Sequence, residues 1–581
     1  MKKNDVKTCI QKIVEKNTGM SAHDFLNYKK EYGIDGLKEA QLLLYQAIKK
    51  KMFIFIMSDY DVDGVASGCI FETLFRAAHY GNYRIRFPKR FSEGYGIRES
   101  VIDEIPEGAL LITVDNGIAA VDAIKKAKEK RIKTMILDHH QTMKKNEKII
   151  LPDADVIVDP HVTGNCTFNY YCGAGLAYRL CSSFIKKGHP NENIMVSFAA
   201  LATIADVMPL VEDNRRIVKE GLHHLTQKNA RTTGTYALLK AFNMDSYISE
   251  SDVEYYIAPA INAMSRMNDN GAELAFRCLI FNGPLREAER LAEEMYQTNQ
   301  ARKNLVACAL EQALSLIQKE GRDQYTPMCV YCPGLHEGII GILAGELATR
   351  YQRPVLVLTD SSSHLKGSAR SYGNVDLFQL LCECDAHLLN WGGHAEAAGM
   401  SCEKKEFSKL QAALCEAFAR LGCRIDQEDT GYDLEIDEAN LLTVASELDR
   451  YRPFGQGNPE IRFLIRKFQL HYKKFADSYT LRLGRKQEHI KFLGRYLDAL
   501  SFGLAEKYDS YGKPLTLDLI GTIDKSHYIQ KKECTLVVKD QIKVIDFYPA
   551  DIPDNRSEMA KELARLAQLR RNEVHAYELS T

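Results

Sequence analysis

Met52-Phe53-Ile54-Phe55-Ile56-Met57-Ser58-Asp59-Tyr60-Asp61-Val62-Asp63-Gly64 is a run of apolar residues that ends abruptly in three alternating acids and a glycine. A short apolar run of this kind predicts a buried strand, and Gly64 lets the chain turn sharply into the next helix. Outward from this stretch the pattern repeats. Leu110-Leu111-Ile112-Thr113-Val114 ends at Asp115, Thr134-Met135-Ile136-Leu137 at Asp138-His139-His140, and Val156-Ile157-Val158 at Asp159. Helical stretches such as Val65 to His79 and Ala119 to Lys130 separate the first three runs. Strand, helix, strand, helix predicts a parallel sheet with right-handed crossovers. In such sheets the site lies outside the carboxyl ends of the strands, so the acids are expected at one edge of one sheet.

Carboxylates crowded at a sheet edge repel one another, and each must be neutralised to stay there. Hard divalent cations do this, and oxygen-rich ligation suits Mg²⁺ or Mn²⁺, with an added imidazole favouring Mn²⁺. Alone, Asp-x-Asp-x-Asp-Gly is ordinarily a turn or a solvated acidic loop. A calcium loop of the EF-hand kind is excluded, because Ile70 stands where the twelfth-position Glu belongs and a strand precedes the loop. The conjunction carries the reading: successive strand ends, all acidic, with two histidines on the third.

The chain has 581 residues, which predicts three or four domains. Its 45% hydrophobic and 26% charged content is that of an ordinary soluble protein. No apolar run approaches the ~20 residues that span a bilayer, and Met1-Lys2-Lys3-Asn4-Asp5 leads into a charged amphipathic stretch with no signal peptide evident. Among 15 cysteines the one C-x-x-C, Cys329 to Cys332, lies along an expected strand and has no second pair to complete a zinc site. Reduced cysteines and a cytoplasmic location are expected. Net charge is −1, so nucleic-acid binding would have to come from local patches.

From Gly283-Pro284 to Gly321 the pattern is continuously helical, with Pro at the start and Gly at the stop. Met328 to Tyr331 and Val355 to Thr359 read as strands around a helix from Gly338 to Tyr351. Asn390-Trp391-Gly392-Gly393-His394 offers glycines that let backbone approach an anion, although a lone Gly-Gly-His is ordinarily a turn. Beyond Asp433 short β-like runs appear at Arg462–Ile465, Thr480–Leu483, Ile490–Leu493, Leu515–Ile523 and Cys534–Lys539, as in a five-stranded OB barrel. Between Arg462 and Arg495 ten Lys/Arg face two Asp/Glu, interleaved with Phe468, Tyr472, Phe475, Tyr479 and Phe492. Basic grooves with aromatic platforms are how OB folds hold single strands, although any one of these aromatics taken alone is more often core. Glu558 to Leu579 reads as an amphipathic helix.

These residues resemble the DHH phosphoesterase superfamily and, over nearly the whole chain, its RecJ family. Ser58 to Gly64 looks like the first motif, Val114-Asp115-Asn116-Gly117 the second, Asp138-His139-His140 the one that names the superfamily, and Ala205-Asp206-Val207-Met208-Pro209-Leu210 with Glu212-Asp213-Asn214-Arg215 the fourth. Phe87 to Gly96 resembles a family loop, and Pro259 to Met267 a substrate-contacting segment. Lys366-Gly367-Ser368-Ala369-Arg370-Ser371, Asn390 to Gly399, and Pro453-Phe454-Gly455-Gln456-Gly457-Asn458-Pro459 come next, in the family's order. The chain departs from the usual pattern at Met57, Ser58, Asn116 and Ser265.

The resemblance implies an α/β architecture. A parallel-sheet DHH domain with a helical lead-in (residues 1–280) is joined by a long helix (281–322) to a smaller α/β domain (323–425). An OB-type barrel (430–550) and a helical tail (551–581) complete the chain. It also implies a metal-dependent 5′-to-3′ exonuclease of single-stranded DNA, acting in repair and recombination. Two Mn²⁺ or Mg²⁺ ions would be held by Asp61, Asp63, Asp115, His139 and Asp206, with Asp59 and Asp138 touching the ions or supporting those that do. His140 and His394 would contact the scissile phosphate and Arg266 a neighbouring one. Arg90, Ser368 and Arg370 would bind the terminal 5′-phosphate, and Asn299 and Arg302 fall where the family often has polar substrate-facing residues. A monomer is expected, with a single-strand-binding protein and a helicase as partners. The alternatives are a DHH phosphodiesterase for short oligonucleotides or cyclic dinucleotides, and a binding-only Cdc45-like factor, which would lack the metal acids.

Overall fold

Five parallel strands form the first sheet: β1 (Ile54–Met57), β2 (Tyr83–Arg86), β3 (Leu110–Val114), β4 (Lys133–Leu137) and β5 (Val156–Val158), in the order β2-β1-β3-β4-β5. The structure is a computed structural model that describes residues 3–28, 32–142, 144–145, 148–162, 166, 168–228, 230–361, 363–425, 431–484, 486–530 and 535–550. The helix expected at Glu558–Leu579 lies outside the described residues.

β1 and β3 are buried along their whole length, which is why they read as continuous apolar runs. Alternate residues serve opposite faces. Ile54, Ile56, Ile112 and Leu137 join the core made with helices Val62–Ala77, Gly173–Cys181 and Pro190–Ala205, while Phe55, Met57, Leu111 and Ile136 pack against Val101, Ile102 and Ile124. The edge strand β2, Tyr83-Arg84-Ile85-Arg86, was not foreseen, since its alternating arginines leave no apolar run to recognise.

Leu285–Glu320 is a single helix of 36 residues, about 54 Å long. Pro284 stands at its N-cap and Gly321, at φ +60°, at its C-cap. Ala288, Ala292 and Met295 belong to the core of the first sheet, and Val306, Ala309, Ala313 and Ile317 to that of the second. One helix thus fixes two sheets to each other.

The second sheet comprises β6 (Met328–Tyr331), β7 (Val355–Ser361), β8 (His364–Arg370), β9 (Asn390–Gly393) and β10 (Ala397–Cys402), in the order β9-β10-β8-β7-β6, with only β6 and β7 parallel. Cys329 and Cys332 are both buried there as free thiols.

The third sheet has seven strands where five were expected, in the order Leu434–Asp437, Phe463–Gln469, Thr516–Gln530, Thr535–Pro549, Ala499–Ser501, His489–Phe492, Thr480–Leu483. The two additions, Leu-Glu-Ile-Asp and Ala-Leu-Ser, are too short or too charged to stand out. Phe468 and Phe492 are core, whereas Tyr472, Phe475 and Tyr479 are exposed. Some of the basic residues are neutralised locally: Arg466 by Asp518 (2.6 Å), Arg482 by Asp509 (2.6 Å) and Lys491 by Asp498 (3.5 Å).

The chain divides into two compact units. One holds Asn27–Asp429 with Pro453–Asn458, and the other holds Met1–Leu26, Thr430–Arg452 and Pro459–Thr581. Helix Lys3–Thr18, read as a lead-in to the front domain, therefore lies in the second unit. There it packs on helix Leu441–Tyr451, with Lys7 3.8 Å from Glu447. An amphipathic stripe does not name its partner. No helix among the described residues is long and apolar enough to cross a membrane.

Candidate active site

Asp61 caps helix Val62–Ala77, its Oδ1 accepting the N–H groups of Asp63 (3.0 Å) and Gly64 (3.2 Å). Asp63, in the first turn and only 2% exposed, faces the start of a second helix, Gly173–Cys181. Its two oxygens accept the N–H groups of Gly173 (2.6 Å) and Ala174 (2.7 Å). Two helix N-termini, each with partial positive charge, thus converge on this pair of acids. The approach requires glycine at two places: a Cβ on Gly64 would lie 2.2 Å from Asp59 O, and one on Gly173 would lie 2.7 Å from Asp115 Cβ.

Asp115 follows β3 with φ +59°, a left-handed conformation that Asp tolerates better than most residues. His139 follows β4, its Nε2 3.1 Å from Asp115 Oδ1 and 3.6 Å from both Asp63 Oδ2 and Asp206 Oδ2. Asp206 stands at the C-cap of helix Pro190–Ala205. Asp138 is occupied otherwise: it accepts the N–H groups of Ile118 (2.8 Å), His139 (2.8 Å) and His140 (3.2 Å), and its Oδ1 is 2.8 Å from His140 Nδ1. It builds the loop that aims the histidines.

Among the described residues, three groups bring ligand atoms within 4.8 Å of one another: Asp59/Asp61/Asp115, Asp63/His139/Asp206 and Asp115/His139/His140. Asp59 Oδ1 and Asp206 Oδ2 are buried with no hydrogen-bond partner among the described residues. Such oxygens, with an imidazole, fit a hard divalent cation. Asp159, which ends the outermost strand β5, falls outside these groups and caps a turn by accepting His161 N–H (2.8 Å).

The electrostatics agree with the donor set. Burial, then the charge of Asp61, lifts Asp63 to about 6. Burial and the charges of Asp63 and Asp61 lift Asp206 to about 8, and burial with neighbouring carboxylates raises Asp59 and Asp115 well above the usual range. Burial and the neighbouring His140 push His139 down to about 3, leaving a neutral imidazole whose lone pair is available. For His140 burial acts downward too, but the hydrogen bond and charge of Asp138 outweigh it and raise the group to about 9.

Tyr95 OH donates to Asp115 O (3.1 Å) and is 3.2 Å from His140 Nδ1. The loop motif containing it was legible in the sequence, but its role was not. Tyr95 also lines a cleft of about 1150 Å³ with Phe91, His336, Lys366, Asn390 and Trp391. Arg90 lies over the Tyr60 ring at 4.7 Å. Arg266, on helix Ala258–Met267, is brought down to about 9 by burial and then by the charges of Arg90, Arg370 and Arg302. Ser368 and Arg370 alternate along β8, with Arg370 Nη1 donating to Ser368 Oγ (3.1 Å). Arg302 donates twice to Oδ1 of the buried Asn299 (3.1 and 3.0 Å). Positive charge is therefore concentrated here in four guanidinium groups. His394 is on the exposed turn between β9 and β10, its N–H donating to Ala397 O (2.8 Å), and it belongs to none of the three acidic groups.

The departures find local partners. Ser58 Oγ donates to Gly64 O (2.6 Å), and Asn116 Nδ2 to Met57 O (3.2 Å) and Val114 O (2.8 Å), tying the ends of β1 and β3 together. Ser265 Oγ donates to Asn262 O (3.3 Å), and Met57 is fully buried. The Gly173–Ala174 cradle escaped the sequence reading. Its one signal was the run of small residues Cys172-Gly173-Ala174-Gly175.

Three family models match the chain: the DHH family N-terminal domain at residues 53–205, the DHHA1 domain at 326–420 and the RecJ OB domain at 432–540. A single-stranded-DNA-specific exonuclease RecJ of Bacillus subtilis is 32% identical over 549 residues, covering 90% of this chain and 66% of the relative. The chain thus spans about two thirds of that protein. The Haemophilus influenzae protein of the same name is 30% identical over 514 residues, covering 82% of this chain and 85% of the relative. The crystal structure of RecJ in complex with Mn²⁺ from Thermus thermophilus superposes with a TM-score of 0.75 at 25% identity, covering 93% of this chain and 76% of that one.

Proposed function

The chain belongs to the RecJ family of single-stranded-DNA-specific exonucleases, and from that premise we propose that it removes nucleotides from the 5′ end of single-stranded DNA with two divalent cations. The observation that carries this reading is the meeting of two acidic groups, Asp59/Asp61/Asp115 and Asp63/His139/Asp206, through the 3.1 Å contact of Asp115 and His139. The concentrated guanidinium groups lie in the same compact unit.

Asp61, Asp63, Asp115, His139 and Asp206, with Asp59, would hold Mn²⁺ or Mg²⁺. Bound there, the cations supply Lewis acidity toward the phosphate and make water acidic enough to attack near neutral pH. His140 keeps its proton through Asp138 and offers a positive edge to the scissile phosphate, while Tyr95 holds that imidazole in place. Arg266 grips a neighbouring phosphate. Arg90, Ser368 and Arg370 take the terminal 5′-phosphate, which fixes the polarity, and His394 closes on the substrate from the second sheet. The exposed Tyr472, Phe475 and Tyr479 stack on bases of the same strand. This role fits DNA repair and recombination, alongside a helicase and a single-strand-binding protein.

Arg370→Ala tests the end pocket. Wild type should prefer a 5′-phosphorylated strand over a 5′-hydroxyl one. The variant should lose about 10–100-fold in kcat/KM on the phosphorylated strand, the worth of a charge-assisted hydrogen bond, and lose the preference with it. A variant that keeps the full preference would remove Arg370 from the pocket.

A further inference from the structure

The segment Pro453-Phe454-Gly455-Gln456-Gly457-Asn458 has no part in the proposed chemistry. In sequence it joins helix Leu441–Tyr451 to strand Phe463–Gln469, yet it packs within the other unit, that of the acidic groups. Its backbone closes on itself: Gly455 N–H donates to Asn458 O (2.9 Å), Asn458 N–H to Gly455 O (3.1 Å), and Asn458 Nδ2 to Pro453 O (2.8 Å). The closed hexapeptide is anchored by Phe454 N–H, which donates to the buried carboxylate of Glu250 (2.9 Å). It lies against residues 209–211. Leu210 N–H donates to Gln456 O (2.7 Å). A Cβ on Gly455 would come within 2.8 Å of Leu210 Cδ1, and one on Gly457, at φ +74°, within 3.2 Å of Pro209 Cβ and Val211 Cγ1.

What it touches is the loop leaving Asp206. Val207, the next residue, has φ +53°, a conformation in which a β-branched residue is a steric outlier. Such a conformation persists only where its surroundings over-determine it. The Val207 side chain does not anchor it, being 62% exposed. The near side of the kink is held by Val207 N–H to Ile204 O (3.1 Å) and Met208 N–H to Thr203 O (3.0 Å). The far side is held by Asn214 Nδ2 donating to Pro209 O (3.2 Å) and by the hexapeptide. Immediately before this kink Asp206 holds its Oδ2 3.6 Å from His139 Nε2.

We infer that residues 453–458 are a positioning element of the metal centre, clamping the 207–211 loop so that Asp206 is presented to a divalent cation. The inference rests on Asp206 being a metal ligand. Its test is Mn²⁺ binding to the full-length, chelator-stripped protein, read from the free-ion signal in electron paramagnetic resonance, for wild type, Gly457→Val and Asp206→Asn. Gly457→Val should weaken Mn²⁺ binding about tenfold at the site that Asp206→Asn abolishes, the scale on which supporting residues act on metal affinity. Its metal-free thermal midpoint should fall with the strain of valine at positive φ, while circular dichroism keeps the wild-type fold and excess Mn²⁺ restores its cleavage rate. Should valine prevent folding, Gly457→Ala, which disturbs the same contacts more gently, and Glu250→Ala, which removes the acceptor of Phe454 N–H, take its place with the same expectation. Wild-type Mn²⁺ affinity in these variants beside a weakened Asp206→Asn would overturn the inference alone. Wild-type affinity in Asp206→Asn would overturn the ligand reading on which it rests.

Discussion

Asp63 is held by two backbone N–H groups at one helix start while lying in the first turn of another, so its replacement should remove a cation ligand and leave two buried donors unpaired. Asp63→Ala should lower single-strand cleavage below detection while circular dichroism keeps the wild-type fold and the metal-free thermal midpoint falls by no more than the loss of two hydrogen bonds, about 1–3 kcal/mol each. A fully active variant would remove it from the centre. The titrations give a second prediction. Asp206, lifted to about 8, and His140, lifted to about 9, keep protons in the folded state that the unfolded chain has released. Their stabilising effect is therefore present at lower pH and lost as pH rises through those values. His139, pushed down to about 3, acts the other way, but only below its unfolded value near 6.5. Between about pH 6.5 and 9 the thermal midpoint in chelator should therefore fall, and Mn²⁺ should remove most of the slope. A flat or rising midpoint in chelator would contradict these assignments. At this scale Asp59, Asp61, Asp63, Asp115 and the histidines were legible because their residue types follow strand ends, whereas Asp206, at the end of a helix, was legible only through the family motif. Gly173 was not, because what it does depends on Asp63, 110 residues away in sequence.

At the scale of elements, legibility followed burial. β1, β3 and β4 and the 36-residue helix announced themselves through long apolar periodicity and their terminal Pro and Gly. β2 and β8–β10 did not, since β2 alternates apolar residues with arginines and β8–β10 contain glycines that would sooner suggest turns. The aromatics of the third sheet could not be sorted from sequence, because buried and exposed aromatics share the same chemistry. The structure separates them, and each class carries its own expectation. Phe475 is 77% exposed, so Phe475→Ala should leave the thermal midpoint unchanged and weaken single-strand binding by roughly the 1–3 kcal/mol of one stacked base. Phe468 is fully buried, so Phe468→Ala should cost about 3–5 kcal/mol of stability in denaturant titration. Equal effects of the two on stability would contradict this division.

For the whole molecule, the order of domains along the chain was legible, but their threading was not. The first 26 residues lie with the C-terminal sheet, and residues 453–458 lie with the acidic groups; a linear pattern of periodicity and turns contains no term for such exchanges. The central claim, that one chain joins a metal centre to an end pocket and a single-strand platform, makes a demand that no single residue makes. It is tested most directly with purified protein, Mn²⁺ and a single-stranded DNA of about thirty nucleotides, longer than the roughly 4–16 nucleotides that one OB fold covers. One copy carries a label at its 5′ end, another at its 3′ end, and a duplex of the same sequence serves as control. Immediate release of the 5′ label, a descending ladder from the 3′-labelled copy and an intact duplex are the predicted result. A ladder from the 5′-labelled copy, or equal attack on the duplex, would contradict it.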